Sequence, residues 1–98
     1  MTFTLVFHSL AEADIDHAYN WYEDQQQGLG EEFLKDLAIC YLRLLQNPHA
    51  YSKTNKYFRK AALHRFPYIV AFEISESEIL IYAIFDTRRD PVHLHKRK

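Results

Sequence analysis

Two strongly apolar segments stand close together in the second half of the chain, and they constrain the fold more than any other feature. The first, "FPYIVAFEI" (66–74), is separated from the second, "EILIYAIF" (78–85), by only three polar residues, "SES". Segments of this length rich in β-branched and aromatic residues are typical of strands. So short a connection allows only antiparallel pairing. The sequence therefore predicts a β-hairpin.

The first of these segments has two different sides, because alternate residues of a strand point to opposite faces of a sheet. One side is uniformly large: Tyr68, Val70, Phe72 and Ile74. The other side is mixed and ends in a charge: Ile69, Ala71 and Glu73. We expect the large side to lie in the core and the mixed side to point away from it.

The first half of the chain predicts one strand and two helices. "TFTLVFH" (2–8) alternates as a strand does, and Ser9 with Glu12 forms a capping-box pattern at the start of a helix that runs to about Gln26. "GLG" (28–30) breaks this helix with a tight turn. Asn47-Pro48 ends the second helix. The two apolar stripes are Ala11, Ile15, Ala18 and Tyr22, and Phe33, Leu37, Cys40 and Leu44.

A further predicted strand, "YFRKAALH" (57–64), precedes the hairpin and completes the order β-α-α-β-β-β. The predicted fold class is α+β, an antiparallel twisted sheet with an N-terminal helical hairpin packed on one face. With 98 residues, we expect a single domain over residues 1–98. Since both helices cover one face, the sequence predicts that the other face is open.

Composition narrows the class of protein. Hydrophobic residues make up 48% of the chain, which excludes a disordered polypeptide. Cys40 is the single cysteine, which rules out an internal disulfide and fits a reducing compartment. No segment approaches the roughly 20 apolar residues of a membrane span, and the N-terminus lacks the pattern of a signal peptide. We expect a cytoplasmic globular protein without a membrane partner.

Charge is distributed unevenly along the chain. Residues 1–49 contain two basic and eight acidic residues, whereas residues 50–98 contain ten basic and five acidic residues. One interpretation is a surface for an anionic partner; the other is that the two halves neutralise each other across the fold. The candidate partner-binding residues are Arg59, Lys60, Arg65, Ile69, Ala71, Arg88 and Arg89. In the alternative interpretation, these arginines pair with Glu73, Glu76 or Asp90.

Adjacent aromatic residues on the first helix offer a second candidate contact. Trp21 and Tyr22 cannot both face the core, so one of them points outward and could help to dock a partner.

Several segments together resemble the ParE branch of the RelE/ParE toxin superfamily, the toxin halves of bacterial toxin–antitoxin pairs. They are "AEADIDHAYNWYEDQQQGLGEEFLKDL", "NPHAY", "YFRKAALHRFPYIVAFEI" and "IYAIFDTRRDP". The resemblance implies the fold described above and a cognate antitoxin whose acidic, amphipathic C-terminal segment binds over the sheet and helices. It also implies a homodimer or a hetero-oligomer with the antitoxin.

The two branches of this superfamily imply different functions. RelE-like members are ribosome-dependent mRNA endoribonucleases, and the residues that could carry such chemistry here are Lys60, Arg88, Arg89 and His93. This set matches poorly, because Ala62 and Ile69 stand at two of the basic positions and no tyrosine follows Tyr82. ParE-like members bind DNA gyrase and have no catalytic residues to transfer.

The resemblance therefore favours a plasmid-stabilisation type of toxin that inhibits gyrase. A ribonuclease and a detoxified relative remain alternatives. One departure from the family pattern is Asp86, which stands where many relatives have a histidine.

The sequence predicts neither a metal site nor a cofactor. His93 and His95 form a His-x-His pattern, which without a third ligand is a weak metal signal. A solvated basic tail is the more ordinary interpretation of this segment. There is no phosphate-binding loop and no Ser-His-Asp pattern.

Overall fold

The computed structural model describes residues 2–53 and 56–89 and confirms the predicted order of elements. A short 3₁₀ turn, Pro48–Ala50, follows the second helix. The helices and strands are β1 (Thr4–Phe7), α1 (Ser9–Gln25), α2 (Leu29–Gln46), β2 (Arg59–Ala62), β3 (Tyr68–Ser75) and β4 (Glu78–Asp86).

The four strands form one sheet in the order β1-β4-β3-β2. The β2–β3 and β3–β4 pairs are antiparallel, as expected, and the fold class is confirmed. The expectation of a wholly antiparallel sheet is wrong for β1, which pairs parallel to β4 with Phe7 opposite Ile81. Because two helices and two strands separate β1 from β4, no short connection fixes the direction of this pair.

Two glycines shape the turn between the helices in different ways. Gly28 precedes α2 with a φ of 88°, a left-handed conformation that costs glycine little. Gly30 lies against α1, and a Cβ there would come within 2.8 Å of Tyr19 and Glu23. Glu23 Oε1 also accepts the N–H of Gly30 at 2.9 Å. The "GLG" segment therefore sets both the turn and the close approach of the helices.

The cap at the start of α1 differs from the expected capping box. His8 is the N-cap residue, and its Nδ1 accepts the N–H of Leu10 at 3.1 Å. Ser9, the expected cap, already lies within the helix. The chain passes from β1 to α1 through a single residue, which leaves the capping position to His8.

The main core lies between the helical hairpin and the sheet, and the predicted strand faces are confirmed. The large side of β3 and the buried residues of both helical stripes belong to this core, with Ile15 and Ile74 packed at its margin. Its centre is an aromatic cluster of Tyr22, Phe33, Phe66 and Tyr68, with neighbouring rings 4.8–6.1 Å apart. Edge-to-face contacts dominate this cluster and add to the stabilisation from burial.

A register shift in β4 changes which residues face the core. Ala71 pairs with Ala83, whereas Phe72 pairs with Ile81, so Tyr82 is an extra residue on β4. Tyr82 and Ala83 consequently both pack on the side away from the helices, and Ile84 returns to the main core.

The second face of the sheet is partly covered by this chain, which corrects the expectation of an open face. Phe58, just before β2, packs there and is fully buried. Beneath it, Ile69 is 8% exposed and Ala71 is 0% exposed. Ile69 and Ala71 therefore do not form the exposed docking surface predicted from the sequence. The alternation of residues along β3 predicts its two faces, but it does not predict that Phe58, from the segment before β2, packs on one of them.

A buried carboxylate on α2 holds the turn between β2 and β3. Asp36 is the sole buried charged residue within residues 2–53 and 56–89. Its Oδ2 accepts the backbone N–H groups of Arg65 at 2.9 Å and Phe66 at 3.1 Å. A carboxylate that accepts backbone N–H groups makes strong, charge-assisted hydrogen bonds. Asp36 thus determines where the turn meets the core.

We expect Asp36→Ala to lower the free energy of unfolding by about 3–6 kcal/mol, because it removes two hydrogen bonds to a charged group, which contribute about 1.5–3 kcal/mol each. Asp36→Asn should cost less, since an amide oxygen can still accept both N–H groups. Urea denaturation measures both variants. Asp24→Ala, on the exposed part of α1, is the control and should stay within about 0.5 kcal/mol of the parent. Equal losses for Asp36→Ala and Asp24→Ala would contradict this role.

Candidate partner-binding groove

The predicted basic residues do not form a single surface. Arg59 is opposite Phe72 and Lys60 is opposite Ala71, so their side chains point to opposite faces of the sheet. Arg65 lies in the turn between β2 and β3, and Arg88 and Arg89 follow β4. Because Tyr68 pairs with Asp86, these last three arginines share one end of the sheet. The structure therefore divides the basic residues into separate groups.

Arg65 is engaged within the chain. Its guanidinium forms an ion pair with Glu32 in the first turn of α2. It also lies 5.2 Å from the ring centre of Phe66. Arg65 is thus paired, but with Glu32 and not with one of the expected carboxylates, Glu73, Glu76 or Asp90. Both members of the pair are well exposed, so it contributes little to stability.

A groove of about 310 Å³ lies between α1 and the end of β4. Buried Ala18, Tyr68 and Ile84 contribute apolar lining. The remaining lining residues are Asp14, His17, Trp21, Phe85, Asp86, Arg88 and Arg89. An apolar lining with a few convergent polar groups is typical of binding sites. Of the predicted site residues, Arg88 and Arg89 are brought together here.

The groove exists because α1 occupies the place that β1 leaves free. β1 ends opposite Ile81, while β4 continues to Asp86. The backbone N–H of Ile84 donates to Asp14 Oδ2 on α1 at 3.0 Å. This bond satisfies a strand-edge donor and fixes α1 against β4. Sequence reasoning did not single out Asp14; its place between Ala11 and Ala18 of the apolar stripe was the available signal.

Trp21 is the outward-facing member of the aromatic pair. The residue is 45% exposed, whereas the neighbouring Tyr22 is buried. The guanidinium carbon of Arg88 lies 6.0 Å from the Trp21 ring centre, within the range of a cation–π contact. The expectation that one of the two aromatic residues faces outward is therefore correct, and the structure adds that it lines the groove with Arg88.

Asp86 and Arg88 both line the groove and form a bidentate ion pair. Arg88 Nε donates to Asp86 Oδ1 and Arg88 Nη2 donates to Asp86 Oδ2, each at 2.9 Å. The backbone N–H of Arg88 also donates to Asp86 Oδ1 at 2.9 Å. These contacts, led by the side-chain hydrogen bond from Arg88, lower the pKa of Asp86 below its ordinary value and raise the pKa of Arg88.

Neither Tyr68 nor Cys40 is suited to proton transfer or nucleophilic attack at neutral pH. Burial, with smaller effects from Tyr22 and Asp86, raises the pKa of Tyr68 to about 12, so the phenol keeps its proton. Burial also raises the pKa of the Cys40 thiol, which lies in the main core. Of these two groups only Tyr68 lines the groove, and there it remains a neutral phenol at neutral pH.

A second cleft, of about 270 Å³, lies near the other end of β3. Arg59 contributes to it and donates from Nη1 to the carbonyl of Tyr51 at 2.5 Å. Lys56 lies 5.1 Å from the ring centre of Tyr57. The other lining residues are His49, Lys53, Glu73 and Ile74. This cleft has cationic residues but not the apolar floor of the first groove.

His93, one of the residues considered for the ribonuclease alternative, lies outside the described residues, as do Asp90 and His95. Within the described ranges, no group of histidine, cysteine and carboxylate side chains is arranged to hold a metal ion. In the same part of the chain, neither helix has the length and hydropathy required to cross a bilayer.

Comparison with protein families decides the affiliation of the chain. The model described as "ParE toxin of type II toxin-antitoxin system, parDE" matches residues 5–91. The chain belongs to this family. A comparison with curated proteins gave no match.

A solved structure described as the chromosomal ParDE TA system from P. aeruginosa is similar to the chain, with a TM-score of 0.76 at 21% sequence identity. The match covers 87% of this chain and 96% of that chain, and it shows that the two share a fold.

Because of the hydrogen bonds from Arg88, we expect the pKa of the Asp86 carboxyl group to lie below 3.8, the ordinary value for aspartate. Because the pKa is lowered in the folded state, the stabilisation is present above 3.8 and is lost as the pH falls through the lower, folded value. NMR titration of the Asp86 carboxyl carbon measures this shift. In Arg88→Gln the midpoint should move up towards 3.8, whereas Lys60→Gln, a charge removal on the other face, should leave it unchanged. An unaltered midpoint in Arg88→Gln would contradict the assigned cause.

Proposed function

We propose that the chain is a growth-inhibiting toxin that acts in the cytoplasm by binding DNA gyrase and that a cognate antitoxin neutralises it. The observation that carries this proposal is the match of residues 5–91 to the ParE toxin family of type II toxin–antitoxin systems. Gyrase as the target follows from the ParE-like segments of the sequence. Action by binding agrees with a groove in which Tyr68 retains its proton and Arg88, one of two arginines, is paired with a carboxylate.

The arrangement of the basic residues argues against the ribonuclease alternative. Lys60 lies on the face of the sheet that Phe58 partly covers, in register with Ala71. Arg88 contacts Trp21 on α1, which packs on the opposite face. Attack by a 2′-hydroxyl on a phosphodiester requires its acid, base and charge-stabilising groups around one phosphate. Lys60 and Arg88 do not converge in this way.

The antitoxin is proposed to contact the groove between α1 and β4 rather than the apolar side of β3. Ile69 and Ala71 are buried in a cluster that also contains Phe58, with Tyr82 and Phe85 packed against it, so they are not exposed to a partner. The groove instead offers two exposed lining residues, Trp21 and Arg89. An acidic, amphipathic segment could place an apolar side chain against the ring and a carboxylate near the guanidinium.

Induced expression tests the gyrase proposal directly. We expect growth arrest with an SOS response and intact mRNA in the same culture, and loss of supercoiling by gyrase at micromolar purified protein. Growth arrest without any effect on gyrase would overturn the proposal. Codon-phased mRNA cleavage that Lys60→Ala abolishes would instead identify a ribonuclease. Expression of folded protein without a growth defect would identify a detoxified relative.

A further inference from the structure

The pairing of Arg88 with Asp86 changes what the groove presents to a partner. The Asp86 carboxylate accepts hydrogen bonds from Nε and Nη2 of the Arg88 guanidinium. It also accepts the backbone N–H of Arg88. The Asp86 side chain is only 17% exposed, so it is held in the wall of the groove. The pair has no net charge, and its carboxylate repels a second carboxylate that approaches the same guanidinium.

Arg89 differs from Arg88 in how it is held. Its backbone N–H donates to the carbonyl of Asp86 at 3.0 Å, which fixes the turn after β4. Its side chain is exposed at the groove. No ion pair joins it to a carboxylate of residues 2–53 or 56–89. Within the described residues, Arg88 is therefore held in a bidentate ion pair with Asp86, whereas the guanidinium of Arg89 is a nearby cation without a hydrogen bond to that carboxylate.

We propose that Asp86 is a specificity-determining residue of the groove. By neutralising Arg88 it directs the carboxylate of an acidic partner segment to Arg89, and it leaves Arg88 as a support for the Trp21 ring. A partner with its acidic group placed for Arg88 is disfavoured by repulsion from Asp86, which is how a site selects against related segments. The identity of the partner as the antitoxin rests on the proposed function; the neutralisation of Arg88 does not.

The first arm of the test needs no partner, because Trp21 is the single tryptophan of the chain and lies beside Arg88. Iodide, an anionic quencher of tryptophan fluorescence, reports the local charge when its quenching constant is divided by that of neutral acrylamide. In Asp86→Asn this ratio should rise about two- to threefold at low salt, as expected for one cation about 6 Å from the ring in water. Glu76→Gln removes the same charge at the far β-turn and should leave the ratio unchanged.

The double variant Asp86→Asn/Arg88→Gln keeps the net charge of the pair and should return the ratio to that of the parent. An equal ratio in Asp86→Asn and the parent would show that Asp86 does not mask Arg88 and would overturn the proposal. Thermal unfolding of each variant verifies that the fold is retained.

The second arm measures the affinity of the protein for its cognate antitoxin by calorimetry. Arg89→Gln should weaken binding about tenfold or more, the loss of one charge-assisted contact. The affinity of the charge-balanced double variant should stay within about threefold of that of the parent, because an Asp86–Arg88 pair that does not contact the partner contributes little net affinity. Asp86→Asn should tighten binding. A loss in the double variant as large as that in Arg89→Gln would show that Arg88 is a direct contact and would overturn the assignment.

The supercoiling assay and the iodide ratio together separate this inference from the proposed function. If supercoiling by gyrase is unaffected but the iodide ratio rises in Asp86→Asn, the gyrase target is wrong and the role of Asp86 in neutralising Arg88 stands. If gyrase is inhibited but the ratio does not rise, the reverse holds.

Discussion

The carboxylate of Asp36 is the interaction on which the arrangement of this molecule most depends. It extends from α2 into a largely apolar interior and accepts two consecutive backbone N–H groups of the turn that precedes β3. That turn carries Phe66 into the aromatic cluster and begins the strand whose first residue, Tyr68, lines the groove. A buried charge is tolerated when its hydrogen bonds are made, and here they connect the helical hairpin to the sheet.

A second carboxylate on a helix has the same task on the other side of the fold. Asp14 binds the N–H of Ile84, the first core residue of β4 after the register shift, and so holds α1 where β1 has ended. The groove depends on this arrangement, in which α1 and not β1 is the neighbour of the last part of β4. Because these two aspartates satisfy backbone donors, their roles are structural although both are acidic residues near arginines. Asp86 differs from both, because its carboxylate accepts hydrogen bonds from the guanidinium of Arg88 at the groove.

The charge pattern of the sequence has a mixed structural meaning. The contrast between an acidic first half and a basic second half is partly resolved within the fold, as when Glu32 pairs with Arg65. The basic residues are not all neutralised in this way, since the cationic side chains near Arg59 and those near Arg89 line two separate clefts. Counting charges along the chain could not distinguish these outcomes, because the positions of side chains across the sheet depend on register.

What the sequence determined by itself is the part of the fold that repeats locally. Helical stripes, the alternation along β3 and the short turn after it depend on neighbours within a few residues, and the structure has them as predicted. The outward position of Trp21 follows from the same helical period. The family affiliation also rests on sequence, since the matched segments are contiguous.

Three features were decided only by the tertiary structure. They are the parallel pairing of β1 with β4, the packing of Phe58 on the second face of the sheet, and the ion pair between Arg88 and Asp86 in the groove beside α1. Each of these brings together parts of the chain whose local preferences permit several partners. Packing of the whole molecule selects one of them.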